Sequence, residues 1–229
     1  MATESSELET VLRDYIDRRS LFSQLAMSFF LSNDKSRDRK STKRRLEELL
    51  QTASVDARYH VLMNVRGEYS AWTGLHEAVF EYHQEIIRYM LDGFPSNKIY
   101  DVLEIQDGNG DTPLHIAAYR GYLSIVTYLM TDLPQQQKYD LLKIQNKRRN
   151  TALHRAASEK QLETFQAILA LLPSKFQIQL LTITNVEGKT ATDVKPGMLV
   201  EYPAVLSQGN ALQMQNLNIL TENSVLNTF

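Results

Sequence analysis

Three histidines are the residues best suited to chemistry in this sequence of 229 residues: His76, His115 and His154. An imidazole ring binds zinc and exchanges protons near neutral pH, so each ring is a candidate metal ligand or general base. The three rings recur at a constant interval of 39 residues, which places one in each copy of a repeating unit. Rings that lie one structural unit apart are too distant to share a metal ion. We therefore predict no metal site and no other cofactor.

A second candidate site is the acidic segment Asp107-x-Asn109-x-Asp111, which resembles the start of a calcium-binding loop. Such a loop needs glycine at its sixth position and glutamate at its twelfth. The sequence has Thr112 and Ala118 at these positions, so we reject a calcium site.

Motifs of catalytic sites are missing from the sequence. It contains no glycine-rich phosphate loop, no Gly-x-Ser-x-Gly elbow and no His-Glu-x-x-His helix. Cysteine is absent, which excludes disulfides and thiolate nucleophiles and favours a cytoplasmic protein. The net charge of −2 does not suggest a polyanionic partner for the chain as a whole. We predict a protein that is not an enzyme and has no small-molecule substrate.

Residues 35–45 carry seven basic side chains against one acidic side chain. Such a run can act as a nuclear-import signal, contact acidic lipids or nucleic acid, or surround a phosphorylated Ser41. The alternative is a solvated linker, which we favour because most charge runs are solvated. Nucleic acid and acidic membranes are therefore the less favoured partners.

The repeat itself is the clearest pattern in the sequence. Three copies open with the segments Thr-Gly-Leu-His-Glu-Ala, Thr-Pro-Leu-His-Ile-Ala and Thr-Ala-Leu-His-Arg-Ala, and a degenerate fourth copy starts near residue 190. The Thr and His pairs of these segments are Thr73 and His76, Thr112 and His115, and Thr151 and His154. Thr-Pro-Leu-His-x-Ala resembles the signature of the ankyrin repeat, and Thr112–Ala117 matches it fully.

The resemblance implies an all-α solenoid of stacked helix pairs, in which each His ties its Thr to the neighbouring turn. The common ankyrin unit has about 33 residues. This unit has 39, and the extra residues after Pro95, Pro134 and Pro173 favour a short third helix, roughly 134–143 in the second copy. A chain with one such array divides into three parts, namely a helical cap or diverged repeat at 1–58 with a basic loop at 33–45, the array at 59–195 and a tail at 196–229.

The same resemblance implies that turn tips and first helices line a concave groove that binds another protein. We therefore predict a monomeric adaptor, scaffold or inhibitor that binds a partner protein without catalysis. The alternative is a host-directed effector of an intracellular microbe, which would be delivered into the host cell. If residues 35–45 are a nuclear-import signal, the protein would be nuclear. Carried over by register, the predicted contact residues are Trp72, Phe80, Glu81, Asn109, Asp111, Tyr119, Arg120, Lys147, Arg148, Asn150 and Glu159.

Overall fold

The computed structural model describes residues 44, 47–48, 50–51, 53–64 and 71–195. The predicted helices before residue 44, most of the basic run 35–45 and the predicted tail lie outside these residues. None of the described helices is long and apolar enough to cross a membrane. The eleven helices in this part of the chain are α1 Val55–Asn64, α2 Gly74–Phe80, α3 Gln84–Leu91, α4 Ser96–Leu103, α5 Pro113–Arg120, α6 Leu123–Met130, α7 Gln135–Leu142, α8 Ala152–Ser158, α9 Leu162–Ala170, α10 Ser174–Leu181 and α11 Ala191–Val194.

A threonine lies at the N-cap of the first helix in each unit. Thr73, Thr112 and Thr151 have extended backbones, and each side chain accepts a hydrogen bond from the backbone N–H three residues later. A side-chain cap of this kind stabilises a helix by about 1 kcal/mol. Pro113 follows Thr112 at the first helical position, where the N–H that proline lacks would have no partner within the helix.

The helices pack in three rows that run along the stack. First helices α2, α5 and α8 contact one another in sequence, second helix α6 packs against α9, and third helices α1, α4, α7 and α10 form the last row. The core between the rows is apolar and includes the fully buried Phe165, Leu114 and Ile125. This arrangement confirms an all-α repeat solenoid.

The third helix of each unit confirms the interpretation of the 39-residue repeat. It starts one residue later than predicted in the second unit, because Pro134 keeps an extended backbone with ψ of 150°. Its carbonyl oxygen nevertheless accepts a hydrogen bond from the Lys138 N–H at 3.0 Å. The proline thus lies just before the helix rather than in its first turn.

Helix α1 occupies the third-helix row ahead of the first complete unit. The Tyr59 hydroxyl donates to the Asp101 carboxylate of α4 at 2.8 Å, and the Arg58 guanidinium donates to the Tyr89 and Asp92 carbonyls, each at 2.5 Å. Since α1 starts at Val55, it runs across the array boundary that we predicted at residue 59. The diverged N-terminal segment therefore contributes a third helix to the stack.

Candidate functional site

Each repeat histidine joins its own helix to the turn of the next unit. His115 is fully buried, and its Nδ1 accepts the Thr112 backbone N–H at 3.2 Å while its Nε2 lies 3.0 Å from the Asn150 carbonyl oxygen. Because Nδ1 accepts, the ring proton lies on Nε2 and is donated to that carbonyl. His76 and His154 repeat this geometry toward the carbonyls of Asp111 and Lys189, at 3.1 Å and 3.0 Å. This is the role that the ankyrin resemblance implied.

Burial disfavours protonation of His115 and His154. Burial lowers the pKa of His115, although Asp111 and the hydrogen bond to the Asn150 carbonyl partly oppose this change. Burial also lowers the pKa of His154, against the hydrogen bond to the Lys189 carbonyl. A neutral ring suits the network, since protonation of Nδ1 would remove the acceptor for the threonine N–H. Among the described residues, no group of histidine and carboxylate side chains is arranged to hold a metal ion.

Stability should decrease when the solution is acidified from about pH 7 to about pH 5. Histidine in the unfolded chain binds a proton near pH 6.5, whereas His115 and His154 resist protonation in the folded state. Below about pH 6.5 the unfolded state therefore binds more protons than the folded state. The stabilisation that the neutral rings contribute is present in full above this pH and is lost as the pH falls. We expect the free energy of unfolding to fall by up to about 2 kcal/mol per ring, the limit for a ring that stays neutral down to pH 5. Urea denaturation across this range measures the change, and a pH-independent free energy would contradict it.

The turns between units are built around one polar side chain each. The Asp107 carboxylate oxygen Oδ1 accepts the backbone N–H groups of Asn109 and Asp111 at 2.7 Å and 2.8 Å. Asn146 and Asn185 do the same in the next two turns. The turns also bond to one another, since the Lys147 N–H donates to the Asn109 carbonyl at 3.0 Å. The turn tips therefore form a continuous edge of the stack.

Asp107, Asn146 and Asn185 each use their second polar side-chain atom for a hydrogen bond to the preceding unit. The Asn146 amide Nδ2 donates to the Asp111 carboxylate at 2.7 Å, and the Asn185 amide donates to the Asn150 side chain at 3.2 Å. The first complete unit has Trp72 at the position of Asp111, and its indole N–H donates to the Asp107 Oδ2 at 2.7 Å. An acceptor at position 107 is thus required by the donor at position 72.

Replacing Asp107 by asparagine should destabilise the protein by about 1–3 kcal/mol. The asparagine oxygen would be held by the two turn N–H groups, so its amide donor would face the Trp72 indole donor. In the Asp107→Asn background, Trp72→Asp would place a carboxylate acceptor opposite the new amide donor, as Asp111 lies opposite Asn146 in the next junction. This double variant should recover part of the lost stability. A double-mutant cycle from chemical denaturation tests this pairing, and additive losses would contradict it.

We use the term groove face for the surface formed by the turn tips and the first helices with the residues that flank them, at 72–81, 107–120, 146–159 and 185–189. Aromatic and basic side chains pair across it. Trp72 and Phe80 have ring centroids 5.1 Å apart, and the Arg120 guanidinium lies 3.8 Å from the Phe80 ring centroid. Such cation–π contacts contribute about 0.5–1 kcal/mol at exposed sites. The pairing orders the surface while leaving the Arg120 side chain exposed.

The predicted contact residues fall into three groups by exposure. Glu81, Asn109, Arg120, Lys147, Arg148 and Glu159 are exposed, whereas Trp72, Phe80, Tyr119 and Asn150 are half-buried. Asp111 differs from both groups, because only 6% of it is exposed. One carboxylate oxygen accepts from Asn146 and the other lies 3.5 Å from the Arg155 guanidinium, so Asp111 serves the stack instead of a partner surface.

Arg155 belongs to the groove face, although the sequence did not lead us to it. Its guanidinium lies 4.3 Å from the Tyr119 ring centroid and pairs with Asp111 of the preceding turn. The available signal was its place in the variable position of Thr-Ala-Leu-His-Arg-Ala, which matches Glu77 in the first unit. A variable position inside an otherwise constant motif is where a unit adds its own surface chemistry.

Comparison with known protein families agrees with this geometry. A family model for ankyrin repeats, which describes three copies, matches residues 41–140 and 99–182. The two matches together span more than half of the chain, so the chain belongs to the ankyrin-repeat family. A comparison with curated proteins gave no match.

Proposed function

We propose that this chain is a non-catalytic binding module that holds a partner protein on the groove face, as an adaptor, a scaffold or an inhibitor. Ankyrin repeats are generic protein-interaction modules, and solenoids use the extended surface along their stacked units for binding. The absence of cysteine supports a cytoplasmic location for this activity.

The observation that carries the proposal is a contrast between two kinds of position in the repeat. Four buried positions of the motif are the same in the three units: threonine, leucine, histidine and alanine recur in register. The groove face changes from unit to unit, as in Phe80, Tyr119 and Ser158 or in Glu81, Arg120 and Glu159. Stacking explains the constant positions, whereas it places no such demand on the variable ones. A surface that varies along a constant frame suits recognition of one particular partner.

The proposed contact set combines the exposed and half-buried side chains of this face. Aromatic residues and arginine are the types that most often dominate binding energy at interfaces. The set consists of Trp72, Phe80, Glu81, Asn109, Tyr119, Arg120, Lys147, Arg148, Asn150 and Glu159.

The double variant Arg120→Glu with Arg148→Glu should weaken partner capture at least about tenfold, because each reversal puts a charge of the wrong sign at the interface. Its free energy of unfolding should fall by no more than about 1 kcal/mol, the value of the Arg120 contact with Phe80. Affinity capture from the native lysate followed by mass spectrometry measures binding, and chemical denaturation measures stability.

A matched control is Arg88→Glu with Lys175→Glu, which makes the same change of charge at two exposed residues on a second and a third helix, outside the groove face. The Arg88 guanidinium lies 5.0 Å from the Tyr128 ring centroid, so the control also removes a cation–π contact like that of Arg120. This control should capture the partner as well as the unchanged protein does. Equal capture by the two double variants would show that the partner binds elsewhere.

A further inference from the structure

The turn between the second and third units presents three consecutive cations. Lys147, Arg148 and Arg149 are all exposed, and the described residues form no ion pair with any of them. The preceding turn has the uncharged segment Gly108-Asn109-Gly110 at the equivalent positions. The positive charge is therefore a property of one turn in a chain whose net charge is −2.

Backbone strain accompanies the third of these cations. Arg149 has φ of 56°, in the left-handed region that glycine adopts most easily. The equivalent residues of the two flanking turns are Gly110 and Gly188, with φ of 79° and 73°. Ala71, at the equivalent position of the first junction, has φ of 52°, so the turn imposes this conformation on whichever residue stands there. Stacking does not require arginine here, since glycine serves both neighbouring turns.

An exposed apolar side chain adjoins the same turn. The Val186 N–H donates to the Arg148 carbonyl at 3.1 Å, so the two residues lie on adjacent tips. Val186 is 58% exposed, and it is the one large apolar side chain on the described tips with such exposure. The carboxylate on its tip, Glu187, pairs with Lys189 at 2.8 Å, and this bond, with a smaller contribution from the charge of Arg148, lowers the pKa of Glu187. Cationic and apolar groups are thus presented side by side.

We infer that the basic tip, Lys147–Arg149 with Val186, binds an acidic segment of the partner protein that carries apolar side chains between its carboxylates. This inference rests on the proposed function and names the chemistry of the partner. Carboxylates complement the three cations, and an apolar side chain covers Val186 next to them. The backbone groups of Lys147 and Arg148 that join the tips remain bonded within the stack, so recognition uses their side chains.

The groove face favours a protein segment over single-stranded nucleic acid. Nucleic-acid binding of that kind combines cations with open aromatic faces on which bases stack. Here the Phe80 ring is covered by Arg120, with Trp72 beside it, and the Tyr119 ring is covered by Arg155. These aromatic rings are already in use, so charge alone would hold a nucleic acid at this face.

Fluorescence anisotropy with the full chain tests the inference. One labelled probe is a peptide in which glutamate alternates with leucine, and its control has glutamine in place of glutamate. We expect the glutamate probe to bind about tenfold more tightly, as three exposed ion pairs allow, with the advantage shrinking as salt is added. Lys147→Gln with Arg148→Gln should remove most of this preference, whereas Arg88→Gln with Lys175→Gln, at two exposed residues outside the groove face, should retain it. Residues 35–45 are unchanged in both variants, so their contribution to binding cancels in the comparison.

Two further variants separate the roles of the tip residues. Arg149→Gly should weaken binding of the glutamate probe while leaving the protein at least as stable, because it restores the glycine of the neighbouring turns. Val186→Ser should weaken binding of the glutamate probe about threefold, as expected for the loss of a small apolar contact with its leucines. A loss of binding that merely followed a loss of stability would overturn the inference.

Other outcomes would also overturn it. Equal affinity for the glutamate and glutamine probes would do so, as would an oligonucleotide that binds more tightly than the glutamate probe with the same dependence on Lys147 and Arg148. If partner capture still depends on Arg120 and Arg148 while the glutamate probe neither binds nor competes, the acidic-segment inference fails and the proposed function stands. If capture depends on neither arginine, the proposed function fails, whatever the probe does.

Discussion

Replacing Gly110 by alanine should lower the free energy of unfolding by about 2–4 kcal/mol, because steric conflict adds to an unfavourable backbone conformation. Gly110 has φ of 79°, and a Cβ atom there would lie 2.8 Å from the Lys147 backbone nitrogen and 3.1 Å from the Asn146 Cα. Both contacts are with the backbone of the next turn, which a side-chain rotation cannot relieve. Urea denaturation of the purified variant measures the loss.

Gly188→Ala is the matched control. Gly188 occupies the same place in the following turn with φ of 73°, but a Cβ there would meet no atom within 4 Å. The Gly188→Ala variant should lower the free energy of unfolding only by the cost of placing alanine in the left-handed region, about 1–2 kcal/mol. Equal losses at the two glycines would show that the close approach of neighbouring turns does not limit residue 110.

Replacing His115 by alanine should destabilise the protein by about 3 kcal/mol, since two buried polar groups lose their partners. The Thr112 N–H and the Asn150 carbonyl oxygen are both bonded to this ring, and the ring is fully buried. His115→Asn provides a graded comparison, because its shorter side chain retains an acceptor near Thr112 but cannot reach Asn150. Thermal and urea denaturation measure both variants.

The expected order of stability is unchanged protein, His115→Asn, then His115→Ala. A loss below about 0.5 kcal/mol for alanine, the range of ordinary surface substitutions, would contradict the proposed linking role of the ring. Because each unit relies on its neighbours for burial, the loss should affect the contact between the second and third units first. Hydrogen exchange of residues in α5 and α8 can locate the change.

The repeat, its helix starts and the third helix were all predictable from the sequence, because each depends on short-range chemistry. The bond from the His115 N–H to the Thr112 hydroxyl joins residues three positions apart and recurs in each unit. Pro134 likewise determines locally where α7 begins, apart from a difference of one residue. A constant interval between such signals is enough to predict the stack.

The role of each groove-face residue depended on the tertiary structure. Trp72, Asp111 and Arg155 have partners about one unit away in the chain, such as Asp107 for Trp72. Spacing and residue type alone therefore placed Asp111 on the contact surface and omitted Arg155. The sequence by itself determined a stack of ankyrin units with a variable face. Only the tertiary structure decided which polar side chains are used between units and which remain exposed, because that depends on the donor or acceptor that each turn meets in its neighbour.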